Sequence, residues 1–519
     1  MKAGREIWAS RVGLILAMAG NAIGLGNFLR FPSVAARNGG GAFMIPYFCA
    51  LFLVGIPLMW VEWSMGRLGG RLGSGTTPRI FSHLWHSRWA RYLGGLGIAI
   101  PLVFCVYYTY IESWTLGFAF FSAIGKYENI ADYTGMSGFV RSYQGVIESE
   151  HFSSLVPAYI FMILTLAANL YVLDKGVVKG IERLAKIAMP VLLVFALILV
   201  IRVFTLGAPD PAYPERTPLA GLAFLWEPDF SRLGDAKVWL AAAGQIFFTL
   251  SVGLGTIVTY ASYLREKDDV VLSGLTTAST NEFVEVILGG SLAIPIAVAF
   301  FGVVQTATIA EAGMFDLGFY TMPIILQKLP LGQILGTLWF LLLFFAGITS
   351  SSALAMPAVS FMQDEFGWSR RKAVICLGVV IFALVQPVMW FLKYGFLDEL
   401  DFWVGVFGIS LFAAMEAILF AWVFGMARGW KEITMGADIR LSRFFFYVIK
   451  YVTPTFLLVL FVVWGWQQGV PTLLMSNAPA EHRPYLWMAR ALLLAVTLGV
   501  FEMIRRAWRR HGAHRGERA

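Results

Sequence analysis

An apolar segment near the start of the chain, from Val12 to Pro32, is interrupted by glycine at positions 20, 24 and 26. Glycine costs roughly 1 kcal/mol per helical position relative to alanine, so the middle of this segment favours a break in a helix. A helix that breaks at membrane depth frees backbone groups, which are tolerated only where they are buried in protein or line a cavity. The freed carbonyls can bind a cation, and the amino end of a half-helix can bind an anion.

These glycines taken alone would equally serve close packing between neighbouring membrane helices, as small residues often do. Asn21, Asn27 and Arg30 lie in the same segment and weigh against that simpler explanation. Amides and a guanidinium are expensive inside a bilayer, and a charge there is a functional hypothesis by default. We therefore expect the segment to line a binding site.

The rest of the chain has the composition of a multi-pass membrane protein. Of its 519 residues, 58% are hydrophobic and 14% are charged, and the mean hydropathy is +0.70. Stretches long enough to span a bilayer recur along the whole length, and we place about twelve. Loops rich in lysine and arginine alternate with poorer ones, which predicts that both termini face the cytoplasm. The expected location is the plasma membrane, or the inner membrane of a Gram-negative cell.

Several classes of protein are excluded by what the sequence lacks. Cys49, Cys105 and Cys376 lie in apolar runs, which is typical of core residues and not of a disulfide framework. No histidine lies within a predicted span, and no Walker A, HExxH or GxSxG sequence occurs. We therefore expect no enzyme, and we attribute the net charge of +8 to topology and not to a nucleic-acid partner.

A second interrupted segment, from Val238 to Tyr263, carries glycines and small hydroxyl side chains in its middle. Two broken helices that each open a set of about five spans are typical of inverted-repeat transporters. We expect an all-α integral membrane protein with residues 1–206 as the first repeat and 207–424 as the second. Residues 425–519 would add two spans and a basic tail. The stretch from Val304 to Leu329 is too polar to span and predicts an exterior helical hairpin.

Motifs along nearly the whole chain resemble the signature sequences of the neurotransmitter:sodium symporter family, especially its prokaryotic leucine-transporting members. They are Asn21 to Pro32, Tyr107-Tyr108, Gly244 to Ser251, Asn281-Glu282, Ala346 to Ser351 and Asp401 to Trp403. The resemblance implies a sodium-coupled symporter of neutral aliphatic amino acids, leucine- or alanine-like, that works by alternating access. Its partners would be two sodium ions, one amino-acid substrate and the lipid bilayer. The resemblance leaves monomer and homodimer as alternatives.

The resemblance also implies which residues form the sites. The substrate site would comprise Asn21, Ala22, Leu25, Gly26, Phe104, Tyr108, Phe248, Thr249, Ser251, Leu254, Ser350 and Leu354. The first sodium would be held by Ala22, Asn27, Thr249 and Asn281, and the second by Gly20, Ile23, Ala346, Thr349 and Ser350. Oxygen ligands suit a hard cation such as sodium. A simpler explanation of Thr349 and Ser350 is that their hydroxyls bond back to their own helix.

Three positions of the expected substrate site differ from the leucine-transporting members. Phe104 replaces a valine, Leu254 replaces a phenylalanine and Leu354 replaces an isoleucine. All three are apolar, and an unpaired charge buried among them would be costly. The sequence therefore predicts a neutral substrate side chain in a cavity of similar size and altered shape.

The family pattern places gating residues at both ends of the site. Arg30 and Asp401 resemble an outer gate, and Arg5 and Asp364 resemble an inner gate with Trp8 beside them. Simpler explanations are a static salt bridge between helices for the first pair and solvated helix-end charges for the second.

Glu285 lies one helical turn after Asn281 and so falls on the same face, near the first expected sodium. Chloride-dependent members of the family place a serine here. We expect that the fixed carboxylate supplies the negative charge and that no chloride is required. Glu62 is expected nearby, and two carboxylates at close range would share a proton.

Three other functions compete with symport. An amino-acid sensor on the same fold would bind without transporting. An intramembrane enzyme would have only glutamates as candidate catalytic groups, with no histidine or activated cysteine beside them. A channel would need a continuous polar pore, whereas Tyr108 and Phe248 resemble a lid that closes over the substrate.

Overall fold

Every regular element in the described part of the chain is a helix. The computed structural model describes residues 6–313, 315–476 and 478–516. Ten helices are long and apolar enough to cross a membrane without a sharp bend. They confirm the predicted all-α membrane architecture.

We number the long helices, and the halves of the two broken ones, in chain order. They are α1 (Arg11–Ala22), α2 (Gly26–Arg37), α3 (Gly41–Arg71), α4 (Ala90–Ala123), α5 (Val156–Asp174), α6 (Val177–Phe204), α7 (Ala236–Thr249), α8 (Thr256–Ala261), α9 (Val271–Phe301), α10 (Gly332–Phe366), α11 (Arg370–Trp390), α12 (Phe396–Thr434), α13 (Arg443–Leu473) and α14 (Arg483–Gly516). Shorter helices are Thr77–Leu84, Tyr133–Tyr143, Pro218–Trp226, Val303–Ala312, Asp316–Thr321 and Met322–Gln327.

The first predicted break is confirmed between α1 and α2, whose axes differ by 48°. Ser10 caps the start of α1 by accepting a hydrogen bond from the Gly13 amide. The helix ends because Ile23 takes an extended conformation, with ψ of 99°. The chain then turns through Gly24 into α2.

The second predicted break lies between α7 and α8. Gly253 and Gly255 have φ of 76° and 70°, in the left-handed region that glycine adopts without steric cost. Ser251 also has a positive φ, of 54°, which is uncommon for a residue with a side chain. The two glycines thus explain why the helix stops. The contacts around Ser251 must stabilise its unfavourable backbone conformation.

The order of helices gives two similar halves. The α1–α2 pair and α3 to α6 form five spans, the α7–α8 pair and α9 to α12 form five more, and α13 and α14 follow. The helix pair Val303–Ala312 and Asp316–Gln327 turns back on itself by 118°, as a helical hairpin does. The second repeat is predicted to end at residue 424. This position lies within α12, which passes through Gly425 (φ 96°) and continues to Thr434.

The centre of the bundle is the contact between α4 and α10. In the most apolar stretch of α4, 94% of residues are buried, against 17% in α14. The last two helices therefore lie at the periphery and expose apolar side chains to lipid. The two broken helices pack near the central pair and so place their irregular backbone inside protein, as the membrane requires.

Candidate functional site

The two helix breaks meet in the interior of the bundle. The Ser251 hydroxyl donates a 3.0 Å hydrogen bond to the Asn21 carbonyl, and the Asn21 amide group donates to Thr256 at 3.3 Å. Each break thereby satisfies polar groups of the other. The contact creates a small polar region between two segments far apart in the sequence.

A small chamber of about 20 Å³ lies at this meeting point, which is roughly the room one water needs. Its walls are formed by Asn21, Ala22, Gly24, Gly26, Asn27, Phe104, Tyr108, Phe248, Ser251, Leu254, Ser350 and Leu354. The structure thus brings together all but two of the residues expected at the substrate site. Leu25 contributes at the edge, since its amide donates to the Tyr108 hydroxyl at 3.0 Å. Thr249 faces the neighbouring polar cluster described below.

Gly24 and Gly26 are required by close approach in the chamber wall. A Cβ atom at Gly24 would lie 2.7 Å from the Tyr108 hydroxyl and 2.8 Å from the Ser350 hydroxyl. At Gly26 it would lie 2.4 Å from the ring of Phe248. The sequence identified Gly24 as a helix breaker but not as a wall residue; its position between Asn21 and Asn27 was the available signal.

Aromatic rings close one side of the chamber. The Phe104 ring centre lies 5.6 Å from that of Tyr108 and 5.7 Å from that of Phe248. The guanidinium of Arg30 lies 4.2 Å from the Phe248 ring centre, on the ring face. The apolar wall is completed by Leu254 and Leu354, which are both buried.

Three of the four residues expected to hold the first sodium form one polar cluster. The Asn27 side-chain amide donates to the Asn281 oxygen at 2.9 Å and to Thr249 at 3.3 Å. The Asn281 amide donates to Thr249 at 3.0 Å. Ala22, the fourth, lines the adjoining chamber. The Thr249 hydroxyl of the second break and the Asn281 amide oxygen of α9 therefore meet beside the chamber. The Asn27 side-chain oxygen accepts a 2.8 Å hydrogen bond from the Gly24 amide within the first break.

Backbone carbonyls converge around Ser350, where the second sodium is expected. Its hydroxyl lies 3.2 Å from the Gly20 and Asn21 carbonyls and 3.4 Å from that of Ile23. Thr349 donates to the Phe345 and Ala346 carbonyls of its own helix, as the simpler explanation anticipated. Within the described residues, no group of three histidine, cysteine, aspartate or glutamate side chains could hold a metal ion. The oxygen-rich character fits a hard monovalent cation.

Glu285 joins the first cluster, as its position on α9 predicted. One carboxylate oxygen accepts from Gln245 at 2.7 Å, and the other accepts from Asn27 at 3.2 Å and from the Thr249 hydroxyl. Burial leaves this carboxyl without any exposed surface. It is therefore tied directly to two of the expected sodium ligands.

Glu62 does not lie beside Glu285, contrary to the expectation. It accepts a 2.5 Å hydrogen bond from the Gly253 amide in the second break, and it contacts Glu416 of α12. α3 reaches the Glu285 region of α9 through Tyr47, whose hydroxyl donates to Glu282 at 2.7 Å, and Glu62 lies about four helical turns further along α3.

The expected outer gate residues are linked through aromatic rings and not by a direct ion pair. Among the described residues, no carboxylate oxygen lies within 4.0 Å of Arg30, whose Nη1 is buried without a hydrogen-bond partner. Asp401 instead accepts from the Tyr107 hydroxyl at 2.9 Å. Tyr107 packs on Phe104, with ring centres 5.0 Å apart. Aromatic packing thus lies between the two charges.

The expected inner gate is described only in part. The Trp8 indole donates to the Tyr260 carbonyl of α8 at 3.0 Å, and Asp364 accepts from the Gly75 amide at 2.9 Å. Arg5 lies outside the described residues. These contacts place Trp8 and Asp364 at the same end of the bundle as the start of α1.

Further charged contacts that the sequence did not predict hold the start of α1. Arg11 pairs with Asp269 at 2.9 Å and with Asp438 at 2.5 Å. Glu182 accepts from the Ser10 hydroxyl at 3.0 Å. Loop charges of this kind show no periodic pattern, so the sequence offered no signal for their partners.

A sequence profile described as the sodium:neurotransmitter symporter family matches residues 5–128 and 141–505 of the chain. An uncharacterised sodium-dependent transporter of Methanocaldococcus jannaschii is 30% identical over 87% of this chain and 89% of its own length. The sodium-dependent serotonin transporter of Drosophila melanogaster is 25% identical over 88% of this chain and 76% of its own length.

A solved structure is similar over almost the same range. The crystal structure of MhsT in complex with L-phenylalanine is 30% identical in sequence and superimposes with a TM-score of 0.76. The match covers 88% of this chain and 99% of that one. The two chains therefore share one fold.

Proposed function

Because the chain belongs to the sodium:neurotransmitter symporter family, we propose that it couples sodium entry to uptake of a neutral aliphatic amino acid, leucine- or alanine-like, by alternating access. The observation that carries the proposal is the meeting of the two helix breaks. Oxygen groups from both breaks surround a chamber whose other walls are the apolar side chains of Phe104, Leu254 and Leu354. Polar and apolar parts of an amino acid each find a matching surface there.

The amino end of α2 supplies the place for the substrate carboxylate. Backbone N–H groups at the start of a helix attract negative charge, and the Leu25 amide lies at the chamber edge beside the Tyr108 hydroxyl. A sodium ion among Ala22, Asn27, Thr249 and Asn281 would lie next to that carboxylate. Each would bind better in the presence of the other, since opposite charges attract strongly in a site of low dielectric constant.

A second sodium would bind where the carbonyls of Gly20 and Ile23 approach Ser350, with Ala346 and Thr349 completing the set. This position joins α1 to α10. Binding there would hold the first broken helix against the central helix of the bundle. Sodium would thereby favour one conformation of the carrier through its differential affinity.

Chloride is not required in this proposal. The Glu285 carboxylate, held by Gln245, Asn27 and Thr249, would take the place of a bound anion beside the first sodium. Its cost of burial is offset by those hydrogen bonds and by the cation.

The aliphatic preference rests on the chamber walls. Phe104, Leu254 and Leu354 offer no polar partner, so a charged substrate side chain would be buried unpaired. MhsT has been crystallised with L-phenylalanine, and an aromatic substrate is therefore the natural comparison. We further propose that both termini face the cytoplasm, that the carrier lies in the plasma membrane, and that residues 1–206 and 207–424 form its inverted repeats.

The test is uptake into proteoliposomes under an inward sodium gradient. Labelled leucine and alanine should accumulate, phenylalanine less so and lysine not at all, and a sodium ionophore should abolish accumulation. Binding of leucine without accumulation would favour an amino-acid sensor on this fold and would contradict the proposal. Preferential accumulation of phenylalanine would contradict the aliphatic assignment only.

A further inference from the structure

An open groove of about 600 Å³ lies between the first turn of α4 and the middle of α14, and it shares no lining residue with the chamber. It is lined by Arg88, Trp89, Arg91, Tyr92, Leu93 and Phe501. The same end of the bundle carries Asp364 and the start of α1. Basic and interfacial aromatic residues therefore meet apolar ones in a single groove.

The two arginines of the groove are held by aromatic faces. Arg88 lies 5.4 Å from the Trp89 ring centre, and Arg91 lies 4.9 Å from that of Tyr92. The Nε atom of Arg91 is buried and has no hydrogen-bond partner. Neither guanidinium forms an ion pair within the described ranges. Both retain N–H donors for an incoming acceptor.

The carboxylates near this corner are already paired with other arginines. Glu365 binds Arg79 at 2.6 Å, and Glu502 binds Arg505 at 2.7 Å and Arg506 at 2.8 Å. These arginines offset the acidic charge of their surroundings and leave Arg88 and Arg91 in excess.

The groove faces the amino end of the long helix α4. The helix dipole favours an anion at that end.

Below the arginines, toward the middle of the membrane, the surface becomes apolar. Leu93 and Phe501 form the deeper wall, and Tyr92 packs on Phe501 with ring centres 5.5 Å apart. Leu498 and Leu494 lie one and two turns before Phe501 in α14, and they are 55% and 59% exposed. A charged rim above an exposed apolar face matches a molecule with an anionic head and an acyl chain.

We propose that this groove binds one anionic phospholipid, with its phosphodiester accepting hydrogen bonds from Arg88 and Arg91 and an acyl chain lying along Leu93, Phe501 and Leu498. Trp89 and Tyr92 lie at headgroup level, where their amphipathic rings are favoured. Guanidinium groups suit phosphate because they donate several hydrogen bonds in a fixed plane. A free phosphate shares the head chemistry but gains nothing from the apolar wall.

The experiment is native mass spectrometry of the full-length protein titrated with dioleoyl phosphatidylglycerol. The variant is the double substitution Arg88→Gln and Arg91→Gln, which removes both charges and keeps polar side chains at an exposed and a half-buried position. The matched control is Arg371→Gln, an exposed arginine at the same end of the bundle. Neither variant touches the chamber or the oxygen clusters.

We expect the wild type to retain one phosphatidylglycerol, and the double variant to bind it about thirtyfold more weakly, from a few-fold effect per basic residue near a membrane surface. Arg371→Gln should bind as the wild type does. Equal binding by the double variant, or an equal loss in Arg371→Gln, would overturn the site. Displacement of the lipid by excess inorganic phosphate would identify a free-anion site and would equally overturn the proposal.

Discussion

Arg30 lies over the ring of Phe248, with its guanidinium 4.2 Å from the ring centre, and this contact joins the segment after the first helix break to the segment before the second. A cation over an aromatic face contributes about 0.5–2 kcal/mol, more when desolvated. Arg30→Gln should therefore raise the half-saturating substrate concentration about two- to thirtyfold, because the ring loses the charge that holds it closed. Arg30→Lys should give a smaller rise. An unchanged value in proteoliposome uptake would mean that the contact does not stabilise the closed chamber.

Gly26 lies against the same ring. A Cβ at this position would lie 2.4 Å from Phe248, and overpacking of this kind typically costs about 1–3 kcal/mol. Gly26→Ala should lower uptake roughly five- to a hundredfold, and adding Phe248→Leu should recover part of it. The control is Gly244→Ala in α7, where a Cβ meets nothing within 4 Å. Loss of uptake in the control, or none in Gly26→Ala, would contradict the explanation.

Asn27 contacts both Thr249 and Asn281 and also borders the chamber. Asn27→Ala should weaken sodium and substrate binding together, because the two ligands share this corner and their coupling is reciprocal. The measurement is the substrate affinity at several sodium concentrations. Substrate affinity independent of sodium in the wild type would contradict coupling through this site.

Glu285 and its neighbour Glu282 allow a controlled test of whether a carboxylate replaces a bound chloride. Glu285→Ser should make uptake chloride-stimulated, since the negative charge beside the first sodium is then missing. Glu282 accepts from Tyr47 at 2.7 Å instead, so Glu282→Ser should confer no such stimulation. Wild-type uptake should continue when gluconate replaces chloride. A halt under that exchange would refute the assignment.

Phe104 and Leu254 line the same chamber. Phe104→Val should leave a void and favour larger substrates, whereas Leu254→Phe should overpack and weaken branched ones by about 1–3 kcal/mol. The double variant should bind leucine better than the two single effects predict, because residues that share one space are not additive. Leucine and alanine affinities across the four proteins measure this. Strict additivity would place the two side chains on different walls.

The two helix breaks could be predicted from the sequence because residues close together in the chain cause them. Gly253 and Gly255 adopt a backbone conformation that few other residues accept, and such positions are visible as glycines in an apolar run. The position of Glu285 beside Asn27 and Asn281 also followed from helical spacing. These features depend on near neighbours in the chain.

Contacts between distant elements were harder to predict. Glu62 was expected beside Glu285, but it accepts a hydrogen bond from the Gly253 amide, and Tyr47 is the residue of α3 that contacts Glu282. The pairing of Arg11 with Asp269 and Asp438 depends on how the start of α1 packs against two loops that are distant in the sequence. No periodicity records such geometry, so only the folded chain gives the partners.

Ser251 combines two opposing tendencies in one residue. Its positive φ of 54° costs free energy that a glycine would not, and its hydroxyl recovers part of that by bonding to the Asn21 carbonyl. In the proposed alternating-access cycle, separation of the two helix breaks would remove this hydrogen bond and would let the backbone relax. The energies of the closed and open forms are thereby brought closer together, and about 1.4 kcal/mol then suffices for a tenfold change in their ratio. A carrier balanced in this way can be driven in either direction by the gradients across the membrane.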